Sequence, residues 1–292
     1  MLSAPSISEL VARAEADGKP LSEVILELET AASERGRDEI WEGMRAALRT
    51  MREAAERGTR SSVRSMGGLV EGCGRRVNAL RLRGESILGE PMTSVVAKAL
   101  AVAEVNAAMG RVVACPTAGS CGVVPGVILG LGGEQASEDD LVRALFTAAG
   151  VGYVIAQRAT VSGAEGGCQA ECGAASAMAA AAAVEIAGGS PRQAADAVAI
   201  ALKSFLGLVC DPVAGLVEVP CIKRNASAAA VALVAAEMAL AGIESVIPAD
   251  EVIDAMGEIG RRLPLELRET ARGGLAATPT GRLIAARFRA DE

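Results

Sequence analysis

Two thiols and two carboxylates stand close together in the segment GAEGGCQAEC, which covers residues 163–172. Cys168 and Cys172 are four residues apart, so they share one face if the segment is helical. This arrangement fits a disulfide, a metal site or two small buried residues. The chain contains no histidine, so the commonest general base of enzymes is absent and the carboxylates become candidate proton acceptors.

The seven cysteines of the chain include no CxxC pair, which argues against a zinc finger or thioredoxin-like chemistry. Three lie in glycine- or proline-containing loops beside acidic residues: Cys168 in EGGCQAE, Cys210 in VCDPVAG and Cys221 in VEVPC. Iron–sulfur clusters are held by thiolates, and loop N–H groups can hydrogen-bond their sulfurs. The wide spacing equally fits small buried thiols, so spacing alone leaves both interpretations open.

The composition indicates a soluble, mostly helical protein. Of 292 residues, 51% are hydrophobic but only 2% are aromatic, and the apolar content is rich in alanine, the strongest helix former. A net charge of −7 argues against nucleic-acid binding. The N-terminus has no apolar signal core, and we expect no membrane span, because the alanine-rich run over residues 172–184 is shorter than the roughly 20 residues that a span needs. We therefore expect a cytoplasmic protein whose cysteines are free thiols or ligands.

The elements that must position these residues begin with a charged helical N-terminal layer, residues 1–58. In this layer Ser8 and Ser22 are predicted N-caps, and Gly18 and Gly58 are predicted helix ends. The layer is expected to pack on the rest of the same domain.

Further helix starts are predicted where Ser137 precedes three acidic residues and where Ser190 is followed by Pro191. After residue 60, glycine-rich loops alternate with helices too regularly to place a domain boundary. We predict an all-α fold with one helical domain over residues 1–292.

Several stretches resemble the motifs of the iron–sulfur-dependent L-serine dehydratases, and in particular of their alpha, or catalytic, chain. They are ACPTAGSCG, GAEGGCQAE, CDPVAGLVEVPCIKRNA and LPLELRETARGGLAATPTG, and SMGGLVEG is similar to a further loop of the family. The resemblance covers most of the chain after the N-terminal layer. It implies a single helical catalytic domain in which glycine-rich loops form the cluster and substrate site.

The resemblance implies a [4Fe–4S] cluster held by three cysteines, which in this chain are Cys168, Cys210 and Cys221. Three protein ligands leave one iron open to act as a Lewis acid on the substrate hydroxyl. Cys172 matches no ligand and is interpreted as a small helix-face residue. The other cysteines without a ligand counterpart are Cys73, Cys115 and Cys121.

The implied activity is that of an L-serine ammonia-lyase, which converts L-serine to pyruvate and ammonia in amino-acid catabolism and gluconeogenesis. The general base stays unidentified, with Glu165, Glu171 and Lys223 as candidates and Asp211 and Glu218 also near the motifs. Substrate binding is assigned to Thr117, Gly119 and Ser120, whose hydroxyls and loop N–H groups suit a carboxylate if the loop precedes a helix. Further substrate-binding candidates are Ser65, Arg224 and Asn225. Asn225 is alternatively the cap of the alanine-rich helix that follows it.

Three other activities are weighed against this one. An L-cysteine desulfidase-type lyase would use the same scaffold on a thiol substrate. A pyridoxal phosphate dehydratase is disfavoured because no glycine loop adjoins a suitable lysine, and a non-enzymatic helical scaffold or redox sensor is the third alternative. We expect an oligomer with a beta chain as partner, because the small alpha/beta domain of the beta chain is not found in this sequence.

Overall fold

The computed structural model describes residues 6–133 and 136–290, which are mostly α-helical. The helices are α1 Ile7–Asp17, α2 Leu21–Ala32, α3 Arg37–Arg60, α4 Cys73–Leu82, α5 Met92–Ala107, α6 Val123–Gly132, α7 Glu138–Arg158, α8 Gly163–Gly166, α9 Ala174–Ile186, α10 Pro191–Lys203, α11 Cys221–Leu240, α12 Ala249–Arg262 and α13 Pro279–Ala290. The described ranges contain isolated β-bridges but no strand. The predicted all-α fold is confirmed, whereas the predicted limits at residues 1 and 292 lie outside the described residues.

Helix α9 forms the middle of the hydrophobic core and packs against α6, α7, α10 and α11. Every residue from Ala174 to Val184 is buried, and most of them are alanine. Small side chains let the surrounding helices approach closely, so the core reaches dense packing with few large residues. The start of α9 is therefore held from several sides, and the GCQ motif directly precedes it. Among the described residues, no helix is long and apolar enough to cross a membrane.

Glycines allow close contact between α5 and its neighbours. A Cβ added to Gly58 of α3 would lie 2.6 Å from the carbonyl oxygen of Ala101, and one added to Gly126 of α6 would lie 2.7 Å from Cβ of Ala99. The prediction that Gly58 ends a helix is wrong, since α3 continues to Arg60. This glycine is required by the crossing with α5 and not by chain termination.

Three helix boundaries follow their local sequence. Ser137 and Ser190 cap α7 and α10 with complete capping boxes, as predicted. Gly18 ends α1 in the left-handed conformation, with φ 62°. These signals need only neighbouring residues, which is why the sequence suffices to find them.

The predicted caps at Ser8 and Ser22 are wrong, because both residues lie inside helices. Ser6 caps α1, and the Ser8 hydroxyl donates a 2.6 Å hydrogen bond to Asp250 of α12. Helix α2 begins after Pro20 without a side-chain cap. The apolar residues of α1–α3 belong to the same hydrophobic cluster as those of α6, α7 and α9.

Candidate active site

The GCQ motif adopts an irregular turn at the start of α9. Helix α8 is followed by Gly167, whose φ of 76° is strained for any other residue. A Cβ there would also lie 2.8 Å from the carbonyl oxygen of Leu208. Residues Gln169–Gly173 form a π-helical turn that runs directly into α9. Single π-turns of this kind are frequent at functional sites.

Gln169 anchors this turn to two other parts of the chain. Its side chain is fully buried, and its Nε2 donates to the carbonyl oxygens of Gly166 at 2.9 Å and of Met256 at 3.1 Å. Its Oε1 accepts from the backbone N–H of Gly207 at 2.9 Å. Gln169 belongs to the GCQ motif, but the sequence pattern alone predicts no function for it. The structure shows it as a positioning residue for Cys168.

Cys210 is positioned by the segment that follows α12. Its N–H donates to the carbonyl oxygen of Leu267 at 2.9 Å, and its carbonyl oxygen accepts from the N–H of Glu269 at 2.8 Å. These bonds form a short parallel bridge between Cys210 and Arg268. The LPLELRET motif thereby lies directly beside one of the predicted ligands.

Cys221 is the first residue of α11, and Arg224 one turn later ties that helix to the Cys210 loop. The guanidinium of Arg224 donates to the carbonyl oxygen of Val209 at 2.8 Å and lies 2.9 Å from Oδ1 of Asp211. Asp211 also accepts from the N–H of Leu275 at 2.8 Å. Arg224, a predicted substrate ligand, therefore holds two loops together in the structure.

The thiols of the predicted ligand set affect one another electrostatically. A hydrogen bond from Cys172, followed by the nearby charge of Arg224, lowers the pKa of Cys168 against the opposing effect of burial. Burial, and then the charges of Cys168 and Glu171, raises the pKa of Cys221 to about 12. Burial, with Glu171 as the next cause, raises the pKa of Cys210 still further. Cys168 thus acts on the pKa of both other predicted ligands, and Cys221 acts on that of Cys210.

Cys172 is more closely connected to this centre than its interpretation as a helix-face residue implies. Its side chain is 1% exposed, and its hydrogen bond to Cys168 is the main reason that its own pKa is raised. Cys115 and Cys121 are buried in the loop before α6, where the Cys115 thiol faces the carbonyl oxygen of Cys121 at 3.5 Å. Cys73 begins α4.

Glu171 connects the thiol centre to the Thr117 loop. Its Oε1 accepts a 2.7 Å hydrogen bond from the Thr117 hydroxyl, and its Oε2 lies 3.8 Å from the Cys210 sulfur. Partial burial raises its pKa, a nearby Glu269 carboxylate raises it further, and the two hydrogen bonds oppose the shift. Of the three predicted bases, Glu171 is the one that contacts both a predicted ligand and a predicted substrate residue within the described structure.

The other two predicted bases lie apart from these contacts. Glu165 is exposed and accepts a 2.5 Å hydrogen bond from the Thr160 hydroxyl. Lys223 is exposed on α11, and its charge acts on the pKa of Cys73. Neither contact involves the Cys168 centre.

Glu269 provides a second carboxylate next to Glu171, and the sequence pattern does not predict this position. One oxygen of Glu269, one oxygen of Glu171 and the Cys210 sulfur all lie within 4.8 Å of one another, which is a spacing that could hold a metal ion. The backbone of Glu269 has φ 62°, in the left-handed region that non-glycine residues rarely adopt. Such strained residues concentrate at functional sites.

The Thr117 loop precedes α6, as the predicted anion-binding arrangement requires. Ser120 is fully buried, and its hydroxyl lies 3.1 Å from that of Thr117. Asn225 holds the loop: its Nδ2 donates to the carbonyl oxygen of Gly119 at 2.8 Å, and its Oδ1 accepts from the N–H of Gly122 at 2.8 Å. Asn225 is not the cap of α11, because that position belongs to Pro220.

Ser65 is engaged with a buried carboxylate of the CDPV…PC segment. Its hydroxyl donates to Oε2 of Glu218 at 2.5 Å, and the N–H groups of Gly67 and Leu69 also donate to this carboxylate. Glu218 is 2% exposed, so this buried carboxylate holds the SMGG loop in place through these hydrogen bonds. The hydrogen bond between Ser65 and Glu218 therefore connects the SMGG loop to the CDPV…PC segment. Glu218 lies three residues before Cys221 in that segment.

Fold and site together define a helical protein with a buried thiol centre bordered by carboxylates and glycine-rich loops. The family model for the serine dehydratase alpha chain matches residues 16–276, and the chain therefore belongs to this family. The resemblance found in the sequence is confirmed.

Curated relatives agree with this membership. The chain is 52% identical over 263 residues to "Probable L-serine dehydratase, alpha chain" of Bacillus subtilis (strain 168), covering 90% of this chain and 87% of that protein. It is 42% identical over 268 residues to "L-serine dehydratase, alpha chain" of Peptoniphilus asaccharolyticus, covering 91% and 92%. It is also 40% identical to "L-serine dehydratase 1" of Escherichia coli (strain K12), where 93% of this chain matches 61% of a longer protein.

Proposed function

We propose that this chain is the catalytic alpha chain of an iron–sulfur-dependent L-serine dehydratase, which converts L-serine to pyruvate and ammonia. The observation that carries the proposal is the arrangement around Glu171, which contacts both the Cys210 thiol and the Thr117 hydroxyl. Family membership and the names of the relatives supply the substrate.

The donor set fits an iron–sulfur cluster held by Cys168, Cys210 and Cys221. Cys168 and Cys210 are 3% and 4% exposed, and burial raises the pKa of the Cys210 and Cys221 thiols. These cysteines would hold a cluster as thiolates, because ligation to a cationic centre offsets the unfavourable burial of charge. When bound, the cluster supplies an open iron that acts as a Lewis acid on the substrate hydroxyl.

Glu171 is the proposed proton acceptor for the substrate α-carbon. Elimination of water from serine removes one proton from Cα and releases the hydroxyl group with its bonding electrons. Thr117 fixes one oxygen of Glu171, which leaves the second oxygen on the side of Cys210. Partial burial raises the pKa of this carboxyl towards the range in which a general base works well near neutral pH.

The substrate carboxylate is assigned to the loop before α6. In the described ranges, the N–H groups of residues 117–120 have no protein acceptor, while Asn225 holds the loop from behind. Free backbone N–H groups ahead of a helix favour an anion. The hydroxyls of Thr117 and Ser120 border the same loop. We assign Arg224 and Ser65 to holding the loops, since two guanidinium nitrogens of Arg224 and the Ser65 hydroxyl already have protein partners.

A beta chain is the proposed partner. Two of the relatives are named alpha chains, and this chain corresponds to 61% of the longer Escherichia coli protein. The names of the two alpha chains describe one part of a two-chain enzyme, and they support a second polypeptide as the partner.

The test is anaerobic purification with iron and sulfide analysis, followed by assays of pyruvate from L-serine and of sulfide from L-cysteine. Both assays are run with and without a co-expressed beta chain. We expect a brown, oxygen-sensitive protein that prefers L-serine, and Cys168→Ser should lose iron while Cys115→Ala keeps it. Preferential release of sulfide would indicate a desulfidase, and a yellow protein without iron would contradict the cluster.

A further inference from the structure

A pair of carboxylates at the active site has no cationic partner among the described residues. Glu171 and Glu269 approach each other and the Cys210 sulfur within 4.8 Å. Arg224, the basic residue of this centre, is paired with Asp211 instead. Two carboxylates at this distance repel each other unless one of them is protonated or a positive charge is bound between them, and a bound cation allows both to stay ionised.

The backbone around Glu269 holds its side chain at this place. The left-handed conformation of Glu269 is maintained by its N–H bond to the carbonyl oxygen of Cys210 at 2.8 Å. Gly163 lies against both carboxylates: a Cβ added there would be 2.6 Å from Oε2 of Glu171 and 3.1 Å from Oε2 of Glu269. Glu269 is exposed whereas Glu171 is partly buried, so the pair extends from solvent to the thiol centre.

We propose that Glu269 binds the α-ammonium group of the substrate and acts with Glu171 as the determinant that selects an amino acid over the corresponding acid without an amino group. This inference rests on the proposed function. An ammonium group offers three donors and one positive charge, which suits two converging carboxylates through charge-assisted hydrogen bonds. Binding there would bring the adjacent α-carbon next to Glu171, so recognition and proton removal would use neighbouring groups.

A divalent metal is the other cation that this geometry could take. It would need the Cys210 sulfur as a ligand, and that thiol belongs to the proposed cluster set. The exposed position of Glu269 suits a ligand that enters and leaves with each turnover. The substrate ammonium is therefore the occupant that is compatible with the rest of the site.

The experiment compares Glu269→Gln with the wild type, with Glu269→Asp as the charge-keeping variant and Glu266→Gln as the matched control. Glu266 is exposed and lies three residues earlier in the same segment. Competitive inhibition by L-alanine, which carries the ammonium group, is measured beside inhibition by 3-hydroxypropionate, which is L-serine without it. Thermal shifts with both ligands give a readout that does not depend on turnover, and iron content is determined for each variant.

We expect Glu269→Gln to raise KM for L-serine and the inhibition constant of L-alanine by roughly tenfold to a hundredfold, because a hydrogen bond to a charged group is lost. The constant for 3-hydroxypropionate should change less than about threefold. Glu269→Asp should recover part of the discrimination, and Glu266→Gln should behave as wild type.

An equal loss for both inhibitors would overturn the inference and leave Glu269 a structural role. Stoichiometric Zn²⁺ or Mn²⁺ that is lost in Glu269→Gln, with L-alanine inhibition unchanged, would overturn it in favour of a metal. If wild type releases no pyruvate from L-serine, the proposed function fails. The thermal shifts then still test whether Glu269 binds an ammonium group. The absence of a thermal shift with L-alanine in wild type would contradict that role.

Discussion

Replacing Glu171 by glutamine separates the chemistry of this carboxylate from its structural contacts. A glutamine carbonyl oxygen can still accept the 2.7 Å hydrogen bond from Thr117, so the loop before α6 keeps its anchor. What is lost is the ability to take a proton from the substrate. General-base catalysis typically contributes about 10²- to 10⁴-fold to the rate. At about 1.4 kcal/mol per tenfold, the barrier should rise by about 3–5 kcal/mol.

The assay is pyruvate formation from L-serine on anaerobically purified protein, with iron content determined on the same samples. We expect kcat to fall by the stated factor and iron content to match wild type, while KM rises by roughly tenfold, because Glu171 shares the substrate ammonium group with Glu269. Glu165→Gln is the control, since Glu165 is exposed and hydrogen-bonded to Thr160, away from the thiols. Comparable activity losses in both variants, or a Glu171→Gln enzyme within a few-fold of wild type, would refute the assignment of the base.

Three further predictions concern the ligands and the scaffold. Cys168→Ser should lose iron, whereas Cys172→Ala should keep near-wild-type iron by elemental analysis; equal losses would make Cys172 a ligand. Gly58→Ala should lower stability by about 1–3 kcal/mol in thermal or urea unfolding, because its Cβ would lie 2.6 Å from the backbone of Ala101. Partial burial raises the pKa of Glu185, so its contribution to stability is present at acidic pH and is lost as the pH rises through the raised pKa. The Tm of Glu185→Gln minus the Tm of wild type should therefore increase as the pH rises from 4 to 8. A difference that does not change with pH would contradict the raised pKa of Glu185.

The sequence predicts the features of the fold that depend on neighbouring residues. Ser137 and Ser190 carry complete capping boxes, and the alanine-rich composition correctly indicates an all-α fold. Gly58 and Ser8 are predicted wrongly because tertiary contacts decide their environment. Gly58 meets Ala101 across a helix crossing, and Ser8 donates to a carboxylate in α12.

In the candidate site, too, the sequence predicts some residues, whereas others are found only from tertiary contacts. The resemblance supplies the three cysteines, and the GCQ motif places Glu171 beside one of them. Glu269 cannot be found in this way, because its relation to Glu171 depends on the backbone bridge between Cys210 and Arg268. Asn225 is ambiguous in the sequence, since an asparagine can cap a helix or anchor a loop. In the structure Asn225 anchors the loop, because its side chain is hydrogen-bonded to the backbone of Gly119 and Gly122.

The glycines of the site loops have a physical explanation that composition alone does not provide. A Cβ on Gly119 would lie 2.8 Å from Oε1 of Glu171, and one on Gly163 would lie 2.6 Å from Oε2. Neither glycine is among those with positive φ, so backbone conformation does not require them. They are required because two backbone segments approach the carboxylate from different directions. Glu171 is thereby confined by the Thr117 loop on one oxygen and by α8 on the other, which fixes the orientation of the proposed proton acceptor.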